Sequence, residues 1–148
     1  MNDTVTKEVT INAPIQTVWE VVTKPEHMVK WFAETAAYKP VVGEKGVVGW
    51  SGMAPAPIEI MTMEEPHEFA FTWVAPDEEV VDTDNKTLIT FTLEEAGDGT
   101  RVQVTESGFS KLAIADDKKQ SLMDKHVSGW PYFMGRLHDY VESSAVQA

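Results

Sequence analysis

Acid–base chemistry needs a carboxyl or an imidazole drawn out of bulk water, and three residues of this chain are candidates. Glu59 alternates with Met61 and Met63 along a run of strand periodicity, which places the three on one face. Glu106 stands two residues beyond Val104 and shares a face with Val102 and Val104. If these faces point inward, burial raises the carboxyl pKa and makes each a candidate proton donor or base; if they point outward, both are ordinary surface acids. His126 precedes Gly129-Trp130 and is the histidine positioned for a pocket mouth. His67, beside Pro66, reads as a turn residue, His27 as the surface of a short helix, and His138 as a flank of a helical stripe.

Other chemistries fail on spacing. Gly49-Trp50-Ser51-Gly52 lacks the second spacer of a Gly-x-Ser-x-Gly nucleophile elbow, and Gly43 and Gly46 do not make a phosphate loop. Asp82, Asp84 and Lys86 lack the glycine and closing glutamate of a calcium loop. No histidines stand at the spacing of a His-Glu-x-x-His zinc site. The chain has no cysteine, which removes disulfides, thiolate zinc sites and cysteine nucleophiles together. The expectation is no catalytic motif, no metal and no cofactor.

Large apolar side chains are the more informative feature: five tryptophans, six phenylalanines and seven methionines, enough to wall a cavity. Trp31 and Phe32 fall on a short helix, Trp50 and Phe91 on strands, and Trp130, Phe133 and Met134 on a terminal helix. Phe69, Phe71 and Trp73 alternate onto one sheet face. Aromatic rings with polar handles and pliable thioethers suit an adaptable apolar pocket of roughly 300–1,000 Å³. The same residues also suit a plain core. As candidate pocket lining they stand with Glu59, Met61, Met63 and Glu106.

The elements that must position them follow from periodicity and punctuation. Thr4 to Ile11 alternates as a strand, and Asn12-Ala13-Pro14 starts a helix whose apolar face is Ile15, Val18, Trp19 and Val22. Lys24-Pro25 ends that helix and opens a second, with Met28, Val29, Trp31 and Phe32. Strand-like runs cover Glu34 to Lys39, Val47 to Ser51, Ile58 to Glu64, Glu68 to Val74, Thr87 to Glu94 and Arg101 to Ser107. Asp98-Gly99 marks a hairpin, and the acidic stretch Pro76 to Asn85 reads as an exposed loop. Trp130, Phe133, Met134, Leu137 and Val141 form the stripe of a terminal helix, with a break or kink expected around Ser128-Gly129 because Pro131 lacks an amide proton. Short connections predict an antiparallel meander covered by that helix, an α+β arrangement.

Composition narrows the partners. The 148 residues fit one domain, and 12 basic against 24 acidic residues give a net charge of −12. Such a chain is repelled by phosphate backbones and anionic headgroups, so neither nucleic acid nor a membrane surface is expected. The polar start Met1-Asn2-Asp3-Thr4 has no apolar h-region, and no run is long enough to span a bilayer, so the cytoplasm is the expected location.

Three segments then carry a family resemblance: Ala13-Pro14-Ile15-Gln16-Thr17-Val18-Trp19 running to Trp31-Phe32; Thr100 to Phe109; and Gly129-Trp130 followed by Phe133-Met134, Arg136-Leu137 and Tyr140-Val141-Glu142. Together they resemble the heat-shock protein 90 ATPase activator-like branch of the START-like (SRPBCC, birch-pollen-allergen-like) superfamily. The resemblance spans Val5 to Glu142 and implies a helix-grip fold: a curved antiparallel sheet of six to seven strands around a C-terminal helix, with two short helices after the first strand. It implies a cavity for a small hydrophobic or aromatic molecule as the leading function. A protein-interaction role is the second reading, although the eukaryotic co-chaperone's chaperone binding depends heavily on a separate amino-terminal domain that this sequence does not show. A cyclase- or hydrolase-type enzyme using Glu59, Glu106 or His126 is the third. The catalytic reading requires at least two of these three to meet at one cavity.

Overall fold

Alternating β-branched and aromatic residues build seven strands: β1 (Thr4–Ile11), β2 (Thr35–Ala37), β3 (Lys45–Gly49), β4 (Ala56–Glu64), β5 (Glu68–Trp73), β6 (Thr87–Ala96) and β7 (Gly99–Ser107). They form one antiparallel curved sheet in the order β1-β7-β6-β5-β4-β3-β2, so the chain meanders from β2 to β7 and returns β7 against β1. Two short helices, α1 (Ile15–Thr23) and α2 (Pro25–Trp31), follow β1, and α3 (Asp116–Glu142) closes the inner face. The computed structural model describes residues 3–76 and 85–143. The helix-grip expectation from the sequence is met in its strand count, its two short helices and its terminal helix.

The core lies between sheet and α3. Val102 and Val104 of β7, Ile89, Phe91 and Leu93 of β6, and Phe69 and Phe71 of β5 meet Met134, Leu137 and Val141 of α3 in one buried cluster. Inward residues alternate along each strand, as half-buried strands require. The alternation breaks once, in β4, where a bulge shifts the register between Ile60 and Thr62. There the Ile60 backbone also bonds to the loop before β3, accepting from the Gly43 N–H and donating to the Glu44 carbonyl.

Two expectations are corrected at this level. Of the break or kink expected around Ser128-Gly129, the break does not occur: α3 runs as one 27-residue helix with Pro131 inside it. The amide proton that Pro131 lacks would have bonded to the carbonyl of Val127, and Val127 is 41% exposed, so water can serve that carbonyl instead. The stretch Pro76 to Asn85 is not exposed throughout. Asn85 is buried, and its Oδ1 accepts from the Ala113 N–H at 2.6 Å; residues 77–84 lie outside the described residues.

Candidate functional site

Between the end of α2, the inner face of β5 and the middle of α3 lies a cavity of about 270 Å³. Phe32, Trp50, Trp73, Trp130 and Phe133 line it, with Met53, Ala75, Pro76, Lys125, His126 and Gly129. The α3 contributors, from Lys125 to Phe133, recur at spacings of three and four and so share one helix face. Phe32 is the hub of the aromatic wall. Its ring stacks on Trp130, with centroids 5.6 Å apart and planes 3° from parallel, and meets Trp50 and Phe133 edge-on at 5.2 and 5.0 Å. The Trp50 indole N–H donates to the Phe32 carbonyl at 3.0 Å, fixing the two rings together.

Behind this wall sits a fully buried carboxylate. Glu106, inward on β7 beside Val104, accepts from the Trp130 Nε1–H at 2.9 Å and from His126 Nδ1 at 2.5 Å on one oxygen. Its other oxygen accepts from the Thr87 hydroxyl at 2.6 Å and the Trp73 Nε1–H at 3.0 Å. Burial alone pushes the Glu106 carboxyl up. The hydrogen bond and charge of His126, with the Thr87 and Trp73 donors, outweigh it and hold the group below the usual glutamate range. This reverses the sequence-based expectation that an inward Glu106 has a raised pKa: burial was one of two readings left open, and the four donors were not anticipated.

His126 is held from three sides. Trp73 lies 5.9 Å away, Glu106 bonds its Nδ1, and Phe109 packs edge-on at 5.6 Å. Phe109 reaches that position because Gly108, at φ 99°, turns the chain out of β7 into a short 3-10 turn, a conformation that favours glycine. Asp3 fixes the turn by accepting the N–H groups of Gly108 and Ser110. The amide of Ser110 above all holds the Asp3 carboxyl below its usual range.

The remaining sequence candidates separate. Trp31, Phe69, Phe71, Phe91 and Met134 are buried in the core cluster and do not line the cavity. Glu59 pairs with Thr72 on the side of the sheet away from α3, in a separate polar depression with Lys45 and Lys86, so it is not an inward group. Met61 and Met63 do not share a face as alternation implied. The β4 bulge leaves Met61 47% exposed and returns Met63 to the inner side opposite Phe69, half-buried against the core. Of the three acid–base candidates, Glu106 and His126 meet at the cavity and Glu59 does not. His27, read as a surface residue, is part-buried, with its Nδ1 2.8 Å from the Tyr140 hydroxyl.

Met53, Ala75, Pro76, Lys125 and Gly129 were not anticipated as lining. A signal existed for the α3 members. Counting back from Phe133 by four residues at a time reaches Gly129 and then Lys125, on the same helix face. The break or kink expected around Ser128-Gly129 cut that face short. Met53, Ala75 and Pro76 come from loops and carry no periodic signal. Among the described residues no group of three metal-ligating side chains comes together, and no helix is long and apolar enough to cross a membrane.

Residues 12–142 match the family described as activator of Hsp90 ATPase homolog 1-like protein. The chain belongs to that family. Among curated proteins no match is found. Solved structures similar to this activator-like chain include a Mesorhizobium loti protein at 23% identity and TM-score 0.81, covering 95% of this chain and 98% of that one. A Bacillus halodurans protein is 29% identical at TM-score 0.76, with 96% and 98% covered. The Aha1 dimer of Colwellia psychrerythraea is 18% identical at TM-score 0.72, with 94% and 96% covered. The family match is the stronger statement about kinship; likenesses at 18% and 23% identity speak for the fold.

Proposed function

We propose that this activator-like domain binds a small, largely apolar molecule carrying an aromatic ring in the cavity between α2, β5 and α3. The observation that supports this reading is the cavity's composition: five aromatic side chains around about 270 Å³, with His126, backed by the buried Glu106, and Lys125 as its polar side chains. Aromatic faces recognise a flat apolar body, and a single polar group fixes its orientation. The volume, at the lower edge of ligand pockets, suits one or two rings better than a long acyl chain.

Native mass spectrometry of the freshly purified protein, set against its denatured mass, tests the reading. A small extra mass that vanishes on denaturation, or one acquired from a panel of aromatics and lipids, is the expected result. A bare mass that no member of the panel shifts would sink it.

A protein-interaction role, with a chaperone of the kind in the family's description as partner, is the second reading and rests on family membership. It predicts binding that is indifferent to substitutions inside the cavity.

A further inference from the structure

A carboxylate can only accept, so the 2.5 Å contact between Glu106 and Nδ1 places a proton on Nδ1 of His126. In the neutral ring Nε2 then holds the lone pair, and the carboxylate bonded to Nδ1 fixes that tautomer. Glu106 itself is not the acceptor, because four donors already engage its two oxygens. His126 lines the cavity with only 15% of its side chain exposed, so a molecule in the cavity lies against a largely desolvated imidazole.

We propose that the cavity's ligand is an aromatic ring bearing an acidic hydroxyl, and that His126 Nε2 accepts the hydroxyl proton, holding the ligand as an aryloxide against an imidazolium. This rests on the binding reading above. The ligand O–H bond breaks, its electron pair stays on oxygen, and an N–H bond forms at Nε2; Glu106 is anionic before and after, and no co-reactant is needed. Among the described residues, Glu106 from β7 bonds the ring, Lys125 beside it on α3 lines the same cavity, and Trp73 and Phe109 are uncharged neighbours. The net charge of −12 selects the ligand further: it repels a molecule that arrives already anionic, whereas a neutral hydroxyarene enters and ionises only at the pair.

The test compares 4-nitrophenol with nitrobenzene on the full chain, at a pH somewhat below the phenol's own pKa. Tryptophan fluorescence reports binding and the phenol's absorption band reports ionisation. The expected result is affinity for nitrophenol about tenfold or more above nitrobenzene, with the bound phenol showing the phenolate band. His126→Gln should lose the phenolate band and the preference together, and Glu106→Gln should lose the band; if the latter does not fold, His126→Gln carries the test alone. Equal binding of both probes, with the phenol still neutral, overturns the proton transfer and leaves the cavity reading standing. A phenolate band that survives His126→Gln also overturns it. Binding of neither probe removes the cavity reading and this inference with it.

Discussion

Trp73 of the sheet and Trp130 of α3 donate their indole N–H groups to opposite oxygens of one carboxylate, that of Glu106, at 3.0 and 2.9 Å. The two aromatic walls of the cavity therefore share a single buried anchor. Among the described residues no buried side-chain polar atom lacks a partner, so the anchor is complete in the folded chain.

Removing that anchor should be costly. Glu106→Ala leaves the buried Thr87 and Trp130 donors unpaired and Trp73 with only the Thr87 hydroxyl as acceptor, and the expected loss is about 3 kcal/mol or more of unfolding free energy. Urea denaturation followed by far-ultraviolet circular dichroism measures it. A loss under about 1 kcal/mol would mean that the donors find other partners.

The same carboxylate sets an acid limb. Its folded pKa is depressed, so between that value and the ordinary value of 4.5 the unfolded chain binds more protons than the folded one. The stabilisation is fully present above the unfolded value and is lost as pH falls through the folded one. Asp3, also depressed and only part-buried, acts in the same direction with a small share. Urea midpoints taken between about pH 6 and pH 3 should fall steeply for the wild type and more gently for Glu106→Gln. Parallel curves would show that Glu106 titrates alike in both states.

Gly129 stands inside α3 at the cavity wall, and a β-carbon built there meets nothing within 4 Å; the same holds for Gly135 on the exposed side. Glycine inside a helix costs about 0.5–1 kcal/mol relative to alanine, so Gly129→Ala and Gly135→Ala should each raise stability by that much. Gly129→Leu carries a side chain into the cavity and should weaken nitrobenzene binding by about tenfold, whereas Gly135→Ala leaves binding unchanged. Thermal melts paired with fluorescence titrations separate the two effects. Undiminished binding in Gly129→Leu would place the ligand elsewhere.

The bulge in β4 yields a contrast between near neighbours. Met61→Ser, on the outer side, should change stability by no more than about 0.5 kcal/mol, while Met63→Ser should cost about 1 kcal/mol. Phe91→Ala, in the fully buried cluster, should cost about 3–5 kcal/mol. Denaturant midpoints decide the order, and equal effects for the two methionines would contradict the register of β4.

Much of this architecture was legible because local rules and tertiary packing agree. Alternation in Thr4–Ile11 and Arg101–Ser107 identified β1 and β7, and the inward face of β7 carried Glu106 to the core as its spacing from Val102 and Val104 implied. Where a local rule met a tertiary override, the reading failed. Strict alternation cannot see a bulge, so Met61, Met63 and Glu59 were placed together, whereas the extra residue sends Met61 outward and Met63 inward. The proline rule describes a helix in isolation, and α3 passes through Pro131 because the affected carbonyl lies on an exposed face and the apolar stripe packs on both sides of it.

What the sequence by itself determined is the order of elements, the inward set of aromatic residues and the absence of cysteine chemistry. These depend on side-chain type and on periods of two and 3.6 residues, which are local quantities. Which aromatics became core and which became cavity wall was decided only by the tertiary structure. Phe71 and Trp73 are identical in periodicity, yet Phe71 is packed into the core and Trp73 faces the cavity. The meeting of Glu106 with His126, 20 residues apart, was decided there too. A hydrogen bond between a strand and a helix depends on where two elements cross, and no spacing along the chain encodes that crossing.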